Sequence, residues 1–150
     1  MAKVAKAPKV KTKRRTWTLR LPDYWPASPN VRMHWRTRHQ QVAKAASIVM
    51  AYGHPLPTFV GKVKLTIIRE WGYKQRALDP DNLVASTKVL IDVLRSAKKI
   101  NELNNRLGVI TDDRPESFIG GAPIVKQRRA KGTTPEKSTI IVIEGRAICG

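Results

Sequence analysis

The stretch PDNLVASTKVLIDVLRSAKK (residues 80–99) constrains the fold more than any other part of this chain. Leu83, Thr87, Leu90, Ile91 and Leu94 recur at helical spacing and centre on one side, which predicts a helix with a single core-facing stripe. Such a helix needs a surface to cover, and the flanking segments read as strands. TWTLRL (16–21) alternates Trp17, Leu19 and Leu21 against polar neighbours. FVGKVKLTIIREW (59–71) is β-branched and alternating, a second strand. Between them, PDYWPASPNVR reads as an ordered loop. A helix follows from about Arg36, with Val42, Ala45, Ala46 and Val49 on one face and Gly53 with Pro55 ending it. INELNNRLGVI is expected to continue the second helix briefly and break at Gly108. The last segment reads as a hairpin, with a strand near 116–126, a basic loop containing GTTPEK and a strand at 138–144. The order β-α-β-α-β-β predicts an α+β fold, with two main helices on one mixed sheet.

Charge narrows the partners. The chain has 150 residues, 29 Lys and Arg, 11 Asp and Glu, and a formal net charge of +18. A charge of that size suits nucleic acid first, then an anionic membrane surface or an acidic protein. No apolar run approaches the roughly 20 residues of a spanning helix, so no membrane partner is expected. The N-terminus has no apolar run behind its charges, and no signal peptide is expected. Cys149, the only cysteine, has no internal disulfide partner and no zinc-type spacing around it, which fits a reducing cytoplasm. Residues 1–15 (MAKVAKAPKVKTKRR) lack an apolar period and read as a disordered basic arm, ahead of one domain at 16–150.

Against that basic background the acids are clustered. Six of the eleven (Asp79, Asp81, Asp92, Glu102, Asp112 and Asp113) fall in one 35-residue window. DPDN on its own is helix-start chemistry: Asp79 suits the N-cap, Pro80 the first turn, and Asp81 the positive end of the helix dipole. Taken as one helix at 100° per residue, residues 80–99 place Lys88 and Asp92 each about 20° from Asp81, on opposite sides of it. Asp81, Lys88, Asp92 and Arg95 then form a polar stripe. GVITDDRP puts Asp112 and Asp113 at a strand end or turn. A strand beside the helix start would gather Asp79, Asp81, Asp112 and Asp113, and carboxylates so gathered repel unless a cation sits among them. Oxygen-only ligation suits Mg²⁺, and a nearby lysine suits charge developing on a phosphate. The combination points to metal-assisted phosphodiester hydrolysis on nucleic acid.

LDPDNL, the Lys and Asp further along, and GVITDD resemble the pattern of the RusA family of Holliday junction resolvases, crossover junction endodeoxyribonucleases. LRLP and ASPNVRMHWRTR are similar to that family's first strand and Pro-rich loop into a basic helix. The resemblance covers residues 16–145. It implies a RusA-like fold, a homodimer, and Mg²⁺-dependent nicking of four-way DNA junctions in recombination and repair. It also implies Asp79, Asp81 and Asp113 as catalytic, metal-binding carboxylates, with Asp112 as a further ligand. Lys88 matches the family lysine only across a gap, seven residues after Asp81 where compact members have four; Ala85 holds the nearer position.

The expected DNA contacts are Asn30, Arg32, Arg36 and Arg38 around the Pro-rich loop, and Lys126, Arg128, Arg129 and Lys131 in the hairpin tip. Trp25 and Trp35 read either as platforms for unpaired bases or as pins of the loop to the core, and His34 as a hydrogen-bonding residue or a general base. Two rivals stand beside the resolvase reading: a nuclease of the same fold for other branched or flapped DNA, and a non-catalytic basic nucleic-acid binder.

Overall fold

The computed structural model describes residues 10–26, 35–72, 75–103, 105–131 and 137–149. The elements are β1 (Thr12–Pro22), α1 (Trp35–Gly53), β2 (Phe59–Trp71), α2 (Pro80–Ser86), α3 (Lys88–Leu94), β3 (Ile124–Arg129) and β4 (Ser138–Ile148), with three short 3₁₀ turns between α3 and β3. The four strands form one mixed sheet in the order β1-β4-β2-β3. β4 runs antiparallel to both β1 and β2, and β3 runs parallel to β2. The fold is α+β, as expected. No described helix is long and apolar enough to cross a membrane.

The sheet buries one face under the helices. Register aligns Leu19, Ile141 and Ile67 in one row across β1, β4 and β2, and Trp17, Ile143 and Leu65 in the next. All six are buried. Against them pack Ala45, Ala46 and Val49 of α1, with Leu83, Leu90, Val93 and Leu94 of α2 and α3. α1 ends close to the sheet: a Cβ at Gly53 would sit 2.9 Å from Leu56 Cδ2 and 3.2 Å from Trp17 Cζ2, so a larger residue would force a shift there.

Four expectations change. The strand expected from Thr16 begins at Thr12, so Thr12–Arg15 belong to β1 and not to a disordered arm; residues 1–9 lie outside the described residues. Lys13, Arg14 and Arg15 pair in register with Ala147, Arg146 and Gly145. β1 is an edge strand, where charged side chains reach water without cost.

The long helix is broken at Thr87 and ends at Leu94. The Ser86 and Thr87 hydroxyls donate to the Leu83 and Val84 carbonyls at 2.9 and 2.7 Å, a back-bonding that bends helices. The Thr87 N–H bonds Val84 O in a tighter i−3 pattern. After Leu94, Arg95 turns extended and forms a parallel bridge with Ile110, so INELNN does not continue the helix.

The hairpin is also replaced. β3 and β4 are not neighbours, and residues 115–121 form 3₁₀ turns. TIIVI in β4 is apolar enough to be covered on both sides, which makes it a central strand, whereas IVKQRR in β3 is largely exposed and takes the edge. Lys126, Arg128 and Arg129 therefore lie along an edge strand and not in a hairpin tip.

Candidate functional site

Asp79 is the N-cap of α2. Its side chain accepts the Asn82 N–H at 3.0 Å and also contacts the Asn82 amide, and Pro80 fills the first turn. The backbone N–H of Asn82 is the main reason the Asp79 carboxyl sits below its ordinary pKa. Upstream, Gln127 of β3 fixes the approach to this cap. Its amide accepts the Leu78 N–H at 3.0 Å and donates to the Leu78 carbonyl at 2.6 Å. Asp81 follows, exposed, in the first turn.

The second acidic group lies at the other end of the broken helix. Lys98 Nζ stands 2.9 Å from Asp112 and 3.1 Å from Asp113, bridging the pair. The Asp113 N–H donates to Asp112 Oδ1 at 2.7 Å, and Arg114 approaches Asp112 at 3.2 Å. Lys98 is the first cause holding the Asp112 carboxyl well below the usual range. Arg95 sits behind them. It contacts Asp92 at 3.3 Å and Asp113 at 3.9 Å, and forms a close pair with Glu102. Arg106 closes the network on Glu102 at 3.3 Å. Arg95 is the lead cause that lowers the Glu102 pKa to about 2. Within the expected polar stripe, Arg95 is 7% exposed and acts as the hub of an ion-pair network.

Lys88, Ile91, Asp92 and Asp113 line a pocket of about 310 Å³. The structure therefore brings Lys88, Asp92 and Asp113 together across 25 residues of chain, with Asp112 beside Asp113. Asp79 and Asp81 are not among the walls of that pocket. Among the described residues, no three acids, histidines or cysteines stand close enough to hold a metal ion. The gathering of Asp79 and Asp81 with Asp112 and Asp113 is not met in this arrangement. The chain's own cations, Lys98 above all, already neutralise the second pair.

Of the expected DNA contacts, Arg36 and Arg38 lie exposed at the start of α1. Asn30, Arg32 and His34 fall outside the described residues, as does the side chain of Trp35. Lys126, Arg128 and Arg129 are exposed on β3. Trp25 is a pin and not a platform. It is buried, its Nε1 donates to Ser86 Oγ at 2.9 Å, and Arg69 lies 6.0 Å over its ring. Sequence reasoning passed over Lys98, Arg106, Glu70 and Gln127, and counted Glu102 among the clustered acids without giving it a partner. Lys98, Glu102 and Arg106 carried a weak signal, since opposite charges recur there at i,i+4 spacing.

No protein-family model matches this chain, and no curated protein matches it.

Proposed function

We propose that this chain is a structure-selective endonuclease for branched DNA, a cytoplasmic homodimer that nicks four-way junctions in the manner of the RusA-type resolvases it resembles. One observation carries the reading: Lys88, Asp92 and Asp113 line one pocket on a chain of net charge +18. Hydrolysis adds water across one phosphodiester bond. Lys88, exposed at the pocket mouth, offers an ammonium to charge developing on the phosphate. Asp113 and Asp92 offer carboxylates to orient the attacking water and accept its proton. A dimer places two such pockets about a two-fold axis, which suits paired nicks in two symmetric strands. A requirement for Mg²⁺ belongs to the same proposal.

The test is cleavage of a synthetic four-way junction beside linear duplex, flap and fork, with Mg²⁺ and with EDTA. Preferential junction cleavage that stops in EDTA is expected. Cleavage of flap or fork in preference to the junction moves the substrate to another branched DNA.

A second reading, a non-catalytic nucleic-acid binder, is favoured by the neutralised state of Asp112 and Asp113 beside Lys98. Tight binding of every DNA with no cleavage under any metal condition would establish it.

A further inference from the structure

Among the described residues the helices pack on one face of the sheet, and the opposite face is exposed along the edge strands β1 and β3. Along β1 the open face carries Thr16, Thr18 and Arg20, exposed between the buried Trp17, Leu19 and Leu21. At one end of that face stands Glu70 of β2, the register partner of Arg128 on β3. Glu70 Oε1 accepts from Arg20 Nη1 at 2.9 Å, and its Oε2 accepts from Arg128 Nε at 3.0 Å. One carboxylate thus holds two guanidinium groups from opposite edge strands of the sheet. Its side chain is 13% exposed, whereas those of Arg20 and Arg128 are 52% and 57% exposed. The acid forms the floor and the arginines open to solvent.

Around them lies a cleft of about 490 Å³, completed by Arg129, Lys131 and Ser138. Arg129 is braced by the Trp71 ring, 5.7 Å away. Among the described residues of the cleft, four cations face one acid. A guanidinium has five N–H donors in a planar fork, and one N–H of each arginine on Glu70 leaves the rest of each fork for a ligand. A planar fork matches the oxygens of a phosphate bidentately, and two forks fixed by a shared carboxylate are already oriented. In the next row across the sheet Arg20 and Lys126 stand at the two edges, with Ile140 and Ile68 between them. Lys126 on β3 and Lys131 in the cleft extend the positive charge beyond the clamp, which suits a polyanion that runs on past a single phosphate.

We propose that this cleft binds the phosphodiester backbone of a nucleic acid, with Arg20 and Arg128 as the phosphate clamp and Glu70 as the residue that positions them. The inference rests on the nucleic-acid part of the proposed function and not on cleavage. Glu70 explains why an acid stands among so many bases: it preorganises the two arginines and so reduces the entropy lost when a phosphate arrives.

The experiment compares two full-length variants of equal net charge. Arg20→Gln, Glu70→Gln and Arg128→Gln combined remove two positive charges and one negative, which lowers the net charge by one and leaves no acid unpaired. Lys99→Gln, at an exposed site elsewhere, also lowers it by one. Binding to labelled duplex and junction DNA is followed by fluorescence anisotropy in EDTA over a range of salt. The triple variant is expected to lose affinity by about tenfold or more beyond Lys99→Gln, with a salt slope on duplex shallower by about 1.8. Equal losses in the two variants overturn the proposal. Arg128→Gln alone, with Arg20 still paired to Glu70, decides the matter if the triple variant does not fold: a slope shallower by about 0.9 supports the clamp, and an unchanged slope overturns it. Junction cleavage by the unaltered protein is scored separately. Its absence sinks the nuclease reading and leaves the cleft standing, whereas a lost contrast between the variants sinks the cleft and leaves the nuclease.

Discussion

Asp79 is where capping and catalysis give opposite forecasts. Asn caps a helix about as well as Asp, so Asp79→Asn is expected to change stability by no more than a few tenths of a kcal/mol, while Asp79→Ala costs about 1 kcal/mol. If Asp79 takes part in cleavage, as the RusA resemblance implies, both substitutions reduce it by orders of magnitude. Near wild-type junction cleavage by folded Asp79→Asn would leave Asp79 a cap and nothing more. Lys98 gives a second test at this scale. It is the cation between Asp112 and Asp113, so Lys98→Gln leaves two ionised neighbours facing one another. The variant is expected to melt below the unaltered protein at neutral pH, and the gap is expected to narrow in acid as the Asp112 carboxyl protonates. A gap independent of pH would remove Lys98 from that role. Glu102 sets an acid limit. Its pKa is lowered from 4.5 to about 2, chiefly by Arg95, so its stabilising share is full above 4.5 and is lost as the pH falls towards 2. Glu102→Gln is expected to flatten stability against pH in that window, measured by thermal melts at stepped pH.

At the scale of elements, the broken helix packs into the core and is also tied to Trp25 by a buried hydrogen bond. Ser86 is fully buried and accepts from Trp25 across 61 residues of chain. Ser86→Ala orphans the indole N–H inside the core and is expected to destabilise by about 1–3 kcal/mol, read by urea unfolding. A cost under half that would mean the loop is held chiefly by the packing of the ring. The faces of both helices were legible in the sequence, because periodicity is a local property: Ala45, Ala46, Val49, Leu83, Leu90 and Leu94 are all buried as their spacing requires. The break between α2 and α3 was not, since the apolar rhythm runs on across Thr87 and only the hydroxyl bonds interrupt it. Strand neighbours were not legible either. Two strands close in sequence suggest a hairpin, and only the contrast between TIIVI and IVKQRR separates a central strand from an edge. In the site, the acids and Lys88 stood out by type and position. The pairing of Arg95 with Glu102 and of Lys98 with Asp112 did not, because these partners come from beyond the next turn of chain and nothing in the local pattern marks such a pairing.

At the scale of the whole molecule, the sheet order decides when the protein can exist as well as what it looks like. β4 is the last strand along the chain, yet it lies between β1 and β2 and pairs with both along its length. β1 and β2 have no ladder with each other. A nascent chain can form its helices as they emerge, but the row of Leu19, Ile141 and Ile67 closes only when residue 141 has been made. Non-local pairing of this kind is slow, because loop closure comes before the contacts that reward it. A fragment of residues 1–137, which lacks β4, is expected to show no cooperative melt and no sheet signal in circular dichroism; a folded fragment would contradict this account. During synthesis, the first strand therefore waits for more than a hundred residues with its apolar side uncovered. Lys11 beside it and Lys13, Arg14 and Arg15 within it give that waiting segment a dense positive charge, and like charges on two unfinished copies keep them apart until the last strand arrives.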